Sequence, residues 1–351
     1  MSAKLLIYGA NGYTGALVAR RAAALGLRPT VAGRNAEAVG ALARALDLPH
    51  RALGLDDPTA LDDALRGHRA VIHCAGPFSR TSRPMAEACL RTGAHYLDIT
   101  GEIGVFEALQ RRDGEAREAG VMLLPGVGFD VVPSDCLAAH LKRRLPGATS
   151  LALAFRASNL SRGTLTTMIE SIGGGGAVRR DGKIVSVPAA HATRRVDFGR
   201  GPVEVVAIPW GDVSTAYHST GIPNITVYTY APPALLRLMR LGRRLTPLLA
   251  VRPLQALLRR LVRLLPPGPS VEQRARGLSL LWGEATDPSG RRVISRMRTP
   301  EAYALTAVAA VHIAAKVMAG QAAPGFQTPS TAFGADLVLE LDGVTREDVA
   351  L

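Results

Sequence analysis

Three glycines at three-residue spacing lie near the start of the chain, in Gly9-Ala10-Asn11-Gly12-Tyr13-Thr14-Gly15. An apolar run precedes them and a helix-like apolar pattern follows, so the motif falls on a strand, a turn and a helix. Gly9 would allow the tight turn, Gly12 would admit a pyrophosphate at the positive helix end, and Gly15 would let the helix approach the strand. The spacing differs from G-x-G-x-x-G, and the other interpretation is an ordinary strand–helix turn.

The end of the second predicted strand, residues 29–32, carries Gly33-Arg34-Asn35. A site for NAD usually has an acidic residue there, roughly twenty residues beyond the glycines, to hold the ribose 2′-hydroxyl. Arg34 occupies this position, and its guanidinium fork suits a 2′-phosphate. We therefore predict NADP(H) as the cofactor. The alternative is that Arg34 is one of many surface arginines.

Two further loops are expected beside the glycine turn and Arg34, because the carboxyl ends of parallel strands lie at one edge of a sheet. Asp56 follows the third predicted strand, residues 51–55, and either lies beside the adenine or caps the next helix. The loop Ala75-Gly76-Pro77-Phe78 follows the fourth predicted strand. The predicted cofactor-binding residues are Gly9, Asn11, Gly12, Tyr13, Thr14, Gly15, Arg34, Asp56, Ala75, Gly76 and Pro77.

Several catalytic devices are absent from the sequence. No tyrosine has a lysine four residues later, none of the four lysines falls on the predicted edge, and no zinc-type His/Cys cluster occurs. These absences favour a hydride transfer, in which the cofactor does the chemistry and the protein positions the acceptor. Reduction of a C=C or C=N bond also needs a proton donor.

The candidates for the proton donor follow the fifth and sixth predicted strands, and one lies in the second half of the chain. A partly desolvated carboxyl group at such a position has a raised pKa and acts as an acid. Each candidate also has a structural interpretation, as a helix cap, a solvated acid or a core histidine. We considered Asp98, Thr100, Glu102, Asp130, Ser134, Asp135 and His218. The predicted catalytic residues are Asp98, Glu102 and His218, and no metal site is predicted.

Strand and helix patterns alternate up to Leu124, after which strands dominate. This predicts an α/β fold with a Rossmann-type doubly wound parallel sheet and a second α/β domain with a mixed or antiparallel sheet. The 351 residues suffice for two domains. We predict a dinucleotide-binding domain at 1–130, a substrate domain at 131–320, and a tail, 321–351, that returns to the domain junction.

Composition favours a cytoplasmic protein. The three cysteines have no CxxC spacing and are interpreted as reduced thiols. We expect no signal peptide, because no basic leader precedes a long apolar run. The most apolar window, residues 302–319, contains Thr306, His312 and Lys316, which favours a buried helix over a membrane span.

Much of the net charge of +13 comes from one segment, residues 234–265, which has eight arginines and no acidic residue. Leucines and arginines recur there at helical spacing between prolines, which predicts two short basic amphipathic helices. Such helices bind anionic membranes, so a peripheral membrane contact is expected. The alternative is a lid or homodimer interface. No DNA-binding motif accompanies the charge, so nucleic acid is not an expected partner.

Five sequence motifs carry a resemblance to a known family. They are the glycine motif, Ala32-Gly33-Arg34, Ala75-Gly76-Pro77-Phe78, Tyr96-Leu97-Asp98-Ile99-Thr100-Gly101-Glu102 and Pro125-Gly126-Val127-Gly128-Phe129-Asp130. Together they resemble the saccharopine dehydrogenase-like oxidoreductases. The resemblance implies a Rossmann domain, an α/β substrate domain and use of NAD(P). Some members of this family are trans-acting enoyl reductases. We expect an NADP(H)-dependent reductase acting on an apolar or carrier-linked small-molecule or acyl substrate. The alternatives are a saccharopine-type amino acid dehydrogenase and a non-catalytic NADP-bound adaptor.

Overall fold

The computed structural model describes residues 4–157, 162, 175–232, 260–262, 264 and 266–350. The chain forms two compact units. The first comprises Met1–Val132 and Tyr303–Leu341, and the second comprises Pro133–Ala302 and Asp342–Leu351.

The first unit contains a seven-stranded sheet, in the order β15-β6-β5-β4-β1-β2-β3, in which every pair is parallel. The predicted Rossmann-type doubly wound sheet is therefore confirmed. Its central strands are apolar because helices cover both faces. The strands are β1 (Lys4–Tyr8), β2 (Thr30–Gly33), β3 (His50–Ala52), β4 (His68–His73), β5 (His95–Asp98), β6 (Met122–Leu124) and β15 (Gly325–Phe326).

Helices alternate with these strands. One region predicted as a single helix, residues 105–119, forms two helices separated by Arg111 and Arg112. The helices up to the end of β6 are α1 (Tyr13–Ala24), α2 (Ala36–Leu46), α3 (Pro58–Leu65), α4 (Phe78–Thr92), α5 (Ile103–Gln110) and α6 (Asp113–Glu118). Then follows α7 (Val132–Arg144).

The second unit contains a nine-stranded mixed sheet, as the fold class predicted. Its main path is β10-β11-β12-β7-β13-β14-β16, and the hairpin β8–β9 joins it through β12. The strands are β7 (Ser150–Arg156), β8 (Gly176–Arg180), β9 (Lys183–Val187), β10 (Thr193–Asp197), β11 (Pro202–Ile208), β12 (Asn224–Tyr230), β13 (Leu278–Thr286), β14 (Arg292–Pro300) and β16 (Thr345–Val349). Among the described residues, the helices between these strands are α8 (Asp212–Thr220) and α9 (Val271–Arg276).

The two faces of this sheet are covered differently. Helix α7 packs on one face, where a side chain at Gly283 would clash with Leu141. On the other face the sheet curls until its edge strand β10 lies over β13 and β14. Arg296 Nε of β14 donates to the Asp197 carbonyl oxygen at 2.7 Å, and Arg194 of β10 pairs with Glu284 of β13. An apolar cluster that includes Phe198, Tyr228 and Trp282 is buried in this part of the sheet.

The division of the chain differs from the predicted ranges at its carboxyl end. Helix α10 (Ala302–Met318), predicted within the substrate domain, belongs to the first unit from Tyr303 onward, where Arg69 Nε donates to the Val317 carbonyl oxygen at 3.1 Å. The predicted tail is shared between the units. Strand β15 extends the first sheet beside β6, followed by α11 (Pro329–Phe333), whereas β16 pairs with β14 of the second sheet.

Within the described residues, no helix is long and apolar enough to cross a membrane. The basic segment 234–265 lies outside the described residues except for 260–262 and 264. Its predicted helices and its membrane contact therefore remain predictions.

Candidate functional site

The glycine turn between β1 and α1 has the close contacts that its sequence predicted. Gly9 adopts a φ of +76°, and a side chain there would come within 2.8 Å of Ala75. A side chain at Gly15 would overlap the Gly9 carbonyl oxygen, so only glycine lets α1 approach the turn this closely. At Gly33 a side chain would meet Asn11 Oδ1 at 2.7 Å. The turn therefore contacts the end of β2 and the loop after β4.

The start of α1 is suited to an external anion. Its N-cap is Gly12, which has no side chain to accept a hydrogen bond, and its first turn has no acidic residue. The next two helices are capped by Asn35 and Asp57, whose side chains accept hydrogen bonds from Ala38 N and Ala60 N. A pyrophosphate would serve as acceptor for α1 and interact favourably with the helix dipole.

Arg34, directly after β2, and Asp56, in the loop after β3, lie close to the buried phenol of Tyr8. Burial raises the pKa of Tyr8, the positive charge of Arg34 opposes this rise and the negative charge of Asp56 adds to it. Both charged side chains are exposed. Because Asp57 is the cap of α3, the cap interpretation of Asp56 does not apply. The arrangement fits an adenosine 2′-phosphate beside Arg34.

Arg34→Ala should weaken NADPH binding by about 1.5–3 kcal/mol and leave NADH binding nearly unchanged, because only NADPH carries the 2′-phosphate. Calorimetric titration with both cofactors measures the difference. The matched control is Arg28→Ala, which removes an exposed arginine that pairs with Asp47. Equal loss of affinity for both cofactors would remove Arg34 from the phosphate site.

Glu102, a predicted catalytic residue, holds the loop that precedes α4. Its Oε1 accepts a hydrogen bond from Phe78 N at 2.7 Å and its Oε2 accepts one from Ser79 N at 2.8 Å. Both carboxylate oxygens therefore cap the first turn of α4. This geometry favours a positioning role, in which Glu102 fixes the loop 75–78 beside the glycine turn.

Asp98, also predicted to be catalytic, is completely buried and accepts three hydrogen bonds. Oδ2 receives the Tyr96 hydroxyl at 2.5 Å, and Oδ1 receives the backbone N–H groups of Thr100 and Gly126, each at 2.9 Å. Burial raises the pKa of Asp98 to about 6 although these hydrogen bonds oppose the rise. The backbone of Asp98 also accepts from Val127 N at 2.7 Å. Asp98 thus joins the loop after β5 to the loop after β6.

Asp130 lies at the end of that second loop and is a third acidic residue at this edge of the sheet. Its side chain is half-buried, and a side chain at Gly101 would come within 2.9 Å of its Oδ2. The loop is held from the other side by Thr306 of α10, whose Oγ1 accepts from Phe129 N at 3.0 Å. Burial raises the pKa of Asp130 to about 7. The sequence identified Asp130 as a candidate but not as a predicted catalytic residue.

His73, at the end of β4, is a buried polar residue that sequence reasoning missed. It is surrounded by the rings of Tyr8, Phe78 and Tyr96, with centroid distances of 5.6, 5.4 and 6.3 Å. Neither ring nitrogen has a hydrogen-bond partner among the described residues. Burial lowers the pKa of His73 to about 3, so the imidazole is neutral in the folded protein.

His218 belongs to the second unit and lies within α8. It is half-buried beside Tyr217, with a ring-centroid distance of 5.8 Å. The first unit therefore brings together Asp98, Glu102 and Asp130 at the carboxyl ends of its strands but does not include His218. The catalytic role of His218 remains a prediction.

Comparison with known proteins agrees with this geometry. Residues 5–124 match the family model described as the saccharopine dehydrogenase NADP binding domain. These residues are an NADP-binding domain of Rossmann type. This match confirms the resemblance inferred from the motifs and the NADP(H) prediction.

Curated relatives match part of the chain. The human saccharopine dehydrogenase-like oxidoreductase is 28% identical over 174 residues, which cover 43% of this chain and 40% of the human protein. The trans-acting enoyl reductase of Mycobacterium leprae (strain TN) is 32% identical over 149 residues, 40% of this chain and 36% of that protein. The match thus spans about two fifths of the length of each relative.

A solved structure of known identity resembles this chain over nearly its whole length. The apo histidine-tagged saccharopine dehydrogenase (L-Glu forming) from Saccharomyces cerevisiae aligns with a TM-score of 0.70 and covers 99% of this chain and 100% of its own. Sequence identity is 13%, so this likeness concerns the fold alone.

Proposed function

We propose that the protein is an NADP(H)-dependent oxidoreductase that reduces a C=C or C=N bond of an apolar or carrier-linked substrate. The observation that carries this proposal is the shared edge of the first sheet. An uncapped helix start suited to pyrophosphate and a half-buried carboxyl group with a pKa of about 7 both belong to it. Bound NADPH supplies the hydride.

Asp130 is assigned as the proton donor. At neutral pH a carboxyl group with a pKa of about 7 is partly protonated, which is the condition for an efficient general acid. A hydride taken from the bound cofactor would be added to one atom of the double bond, and Asp130 would donate its proton to the neighbouring atom. The carboxylate left behind takes a proton from water. Asp98 and Thr306 position the loop, and Glu102 positions the facing loop.

The amino acid dehydrogenase remains a second candidate, because a substrate with several carboxylates needs several cations. From the sequence, Arg156, Arg162, Arg179 and Arg180 are candidates for this role. Arg179 is buried and donates to the Val213 and Gly182 carbonyl oxygens at 2.8 and 2.7 Å, which favours a structural role. Arg156 and Arg180 are exposed, and Arg162 is half-buried.

A panel of acceptors tests the proposed function and separates it from these alternatives. Enoyl thioesters, imines and keto acids are each incubated with the protein and NADPH, and formation of NADP⁺ and of reduced product is followed. Turnover of enoyl thioesters supports the proposal, and turnover of imines or keto acids that bear carboxylates supports the amino acid dehydrogenase. Tight NADPH binding without any turnover would support the adaptor instead.

We further propose that the basic segment 234–265 contacts an anionic membrane. At its described end Leu261 and Leu264 are 51% and 81% exposed, next to the exposed Arg260. Exposed leucines with adjacent arginines are typical of interfacial helices, in which each arginine contributes about 1 kcal/mol near an anionic surface.

Vesicle flotation tests the membrane proposal. The wild type should float with anionic vesicles at low salt and be released at high salt. Changing Arg237, Arg240, Arg259 and Arg263 to Gln should abolish flotation, whereas changing the same residues to Lys should preserve it. A wild type that stays in solution at every salt concentration would leave the lid or dimer interpretation.

A further inference from the structure

The first turn of α10 contacts two loops of the first unit. Tyr303 and Thr306 are three residues apart in this helix, so their side chains lie on the same face. Tyr303 contacts the glycine turn, and Thr306 contacts the loop that carries Asp130. All of these residues belong to the first unit. A single helical turn thus joins the predicted pyrophosphate site to the assigned proton donor.

The contact with the glycine turn is an aromatic pair. The rings of Tyr13 and Tyr303 have a centroid distance of 5.3 Å and an interplanar angle of 84°, which is an edge-to-face arrangement. Tyr13 is the first residue of α1 and follows the N-cap, Gly12. Because the pyrophosphate is expected at this helix start, Tyr303 holds the part of the chain that binds it.

The contact with the Asp130 loop combines a hydrogen bond with a close approach. Thr306 is buried, and its Oγ1 accepts from Phe129 N, the residue before Asp130, at 3.0 Å. A side chain at Gly128 would come within 2.9 Å of Thr306 Cγ2, so the loop packs directly on the helix. A displacement of the first turn of α10 would therefore move the loop as well.

The rest of α10 is anchored along its length. Leu305, Ala309 and Ile313 are completely buried. Near the last turn, Arg69 Nε donates to the Val317 carbonyl oxygen at 3.1 Å. A helix packed in this way has few alternative arrangements, so a restraint at its first residues is transmitted along the turn and is not absorbed by bending.

We propose that the first turn of α10 couples cofactor binding to the position of the Asp130 loop, with Tyr303 and Thr306 as positioning residues. When a bound pyrophosphate restrains the start of α1, the aromatic pair restrains Tyr303, and Thr306 in turn restrains the backbone beside Asp130. The role of Asp130 as proton donor rests on the proposed function. The coupling itself belongs to the nucleotide-binding unit and is measured without turnover.

Amide hydrogen exchange, measured by mass spectrometry on the full-length protein with and without saturating NADPH, tests the coupling. In the wild type, NADPH should slow exchange in residues 9–16, where it binds, and also in residues 125–131. Tyr303→Leu should keep the slowing at 9–16 and lose most of it at 125–131. Tyr303→Phe retains the ring and should behave like the wild type. If Tyr303→Leu does not fold, Tyr13→Leu removes the same ring contact and takes its place.

Two further measurements separate the two positioning residues. Tyr303→Leu should weaken NADPH binding about 2- to 10-fold in calorimetric titration, because a helix start that is no longer held must be ordered during binding. Thr306→Val removes the acceptor of the Phe129 N–H group and should lose the slowing at 125–131. Thr306→Ser keeps this acceptor and should preserve the slowing.

The matched control is Phe333→Leu, which removes an aromatic ring from the other end of the same helix. Lys316 Nζ of α10 lies 5.8 Å from the centroid of the Phe333 ring. This variant should keep the wild-type affinity for NADPH and the wild-type slowing at 125–131. A loss of slowing as large as that in Tyr303→Leu would reduce the effect to general loosening of α10 and overturn the proposal.

Two other results would also overturn the coupling. One is a wild type in which NADPH does not slow exchange at 125–131. The other is undiminished slowing in Tyr303→Leu, which would mean that the restraint reaches the loop by another route, such as the hydrogen bonds of Asp98. Absence of turnover in the acceptor panel with the coupling intact would instead contradict the proposed function and support the coupling.

Discussion

Asp130→Asn should lower kcat by about 10²–10⁴-fold while the affinity for NADPH stays within a factor of about two, the usual cost of removing a general acid. The reason is that Asp130 is the half-buried acidic residue whose pKa of about 7 allows proton donation at neutral pH. Steady-state assays with the acceptor found in the panel, together with NADPH titration, measure the two effects separately. A variant with the kcat of the wild type would exclude Asp130 as the donor.

The pH dependence gives an independent check on Asp130. Only the protonated acid donates, so kcat of the wild type should fall as pH rises through about 7. The folded-state pKa lies above the ordinary value of 3.8, so the folded protein binds more protons and stability falls as pH rises between these values. Asp130→Asn should therefore be more stable than wild type above pH 7. A variant that is equally stable and keeps the wild-type pH profile would contradict this assignment.

His73→Phe should remove much of the sensitivity of the first unit to acid. The folded-state pKa of His73 is about 3, below the ordinary 6.5, so the unfolded chain binds the proton first. The wild type should therefore lose about 3 kcal/mol between pH 6.5 and 4 through this residue, at about 1.36 kcal/mol per pH unit. Phenylalanine also fits the surrounding rings and removes two buried polar atoms. Urea unfolding across this pH range measures the effect.

His73→Gln is the control for this prediction. Glutamine does not titrate, so it should also reduce the acid slope, but it leaves a polar side chain in the ring cluster and should be less stable than His73→Phe at pH 7. If both variants retained the acid slope of the wild type, the buried neutral imidazole would not be the source of the acid sensitivity.

Local sequence signals were sufficient to predict the NADP-binding domain. The glycine spacing and the apolar strand before it are recognised from residues close in sequence. The position of the arginine after β2 follows from a general property of parallel sheets, whose strands have their carboxyl ends at one edge. The contacts of Gly9 and Gly15 agree with the roles inferred for them.

The roles of Asp98 and Glu102 could not be predicted from local sequence, because their hydrogen-bond partners are distant in the chain. Glu102 caps a helix that begins 24 residues earlier, and Asp98 receives the N–H group of Gly126, 28 residues later. Both residues resemble candidate acids until those partners are known. Similar long-range contacts hold the loop that carries Asp130, which is fixed by Asp98 and by Thr306, 177 residues from Phe129.

Strand β14 shows a further limit of the sequence. Its face toward α7 includes Ser295 and Thr299, both completely buried, so polar residues occupy positions where apolar ones would indicate a strand. Strand β16, Thr-Arg-Glu-Asp-Val, is a largely exposed edge strand with little apolar alternation. Strands of this kind are defined by their pairing partners, which periodicity does not show.

Transfer of deuterium from labelled NADPH tests the central claim most directly. The protein is incubated with the acceptor identified in the panel and with NADPH deuterated at C4 on one face or the other, and the product is analysed by mass spectrometry. The account predicts one deuterium in the reduced product from one of the two labelled cofactors and none from the other. A reduced product without deuterium from either cofactor, or intact NADPH with every acceptor, would contradict an NADP(H)-dependent oxidoreductase.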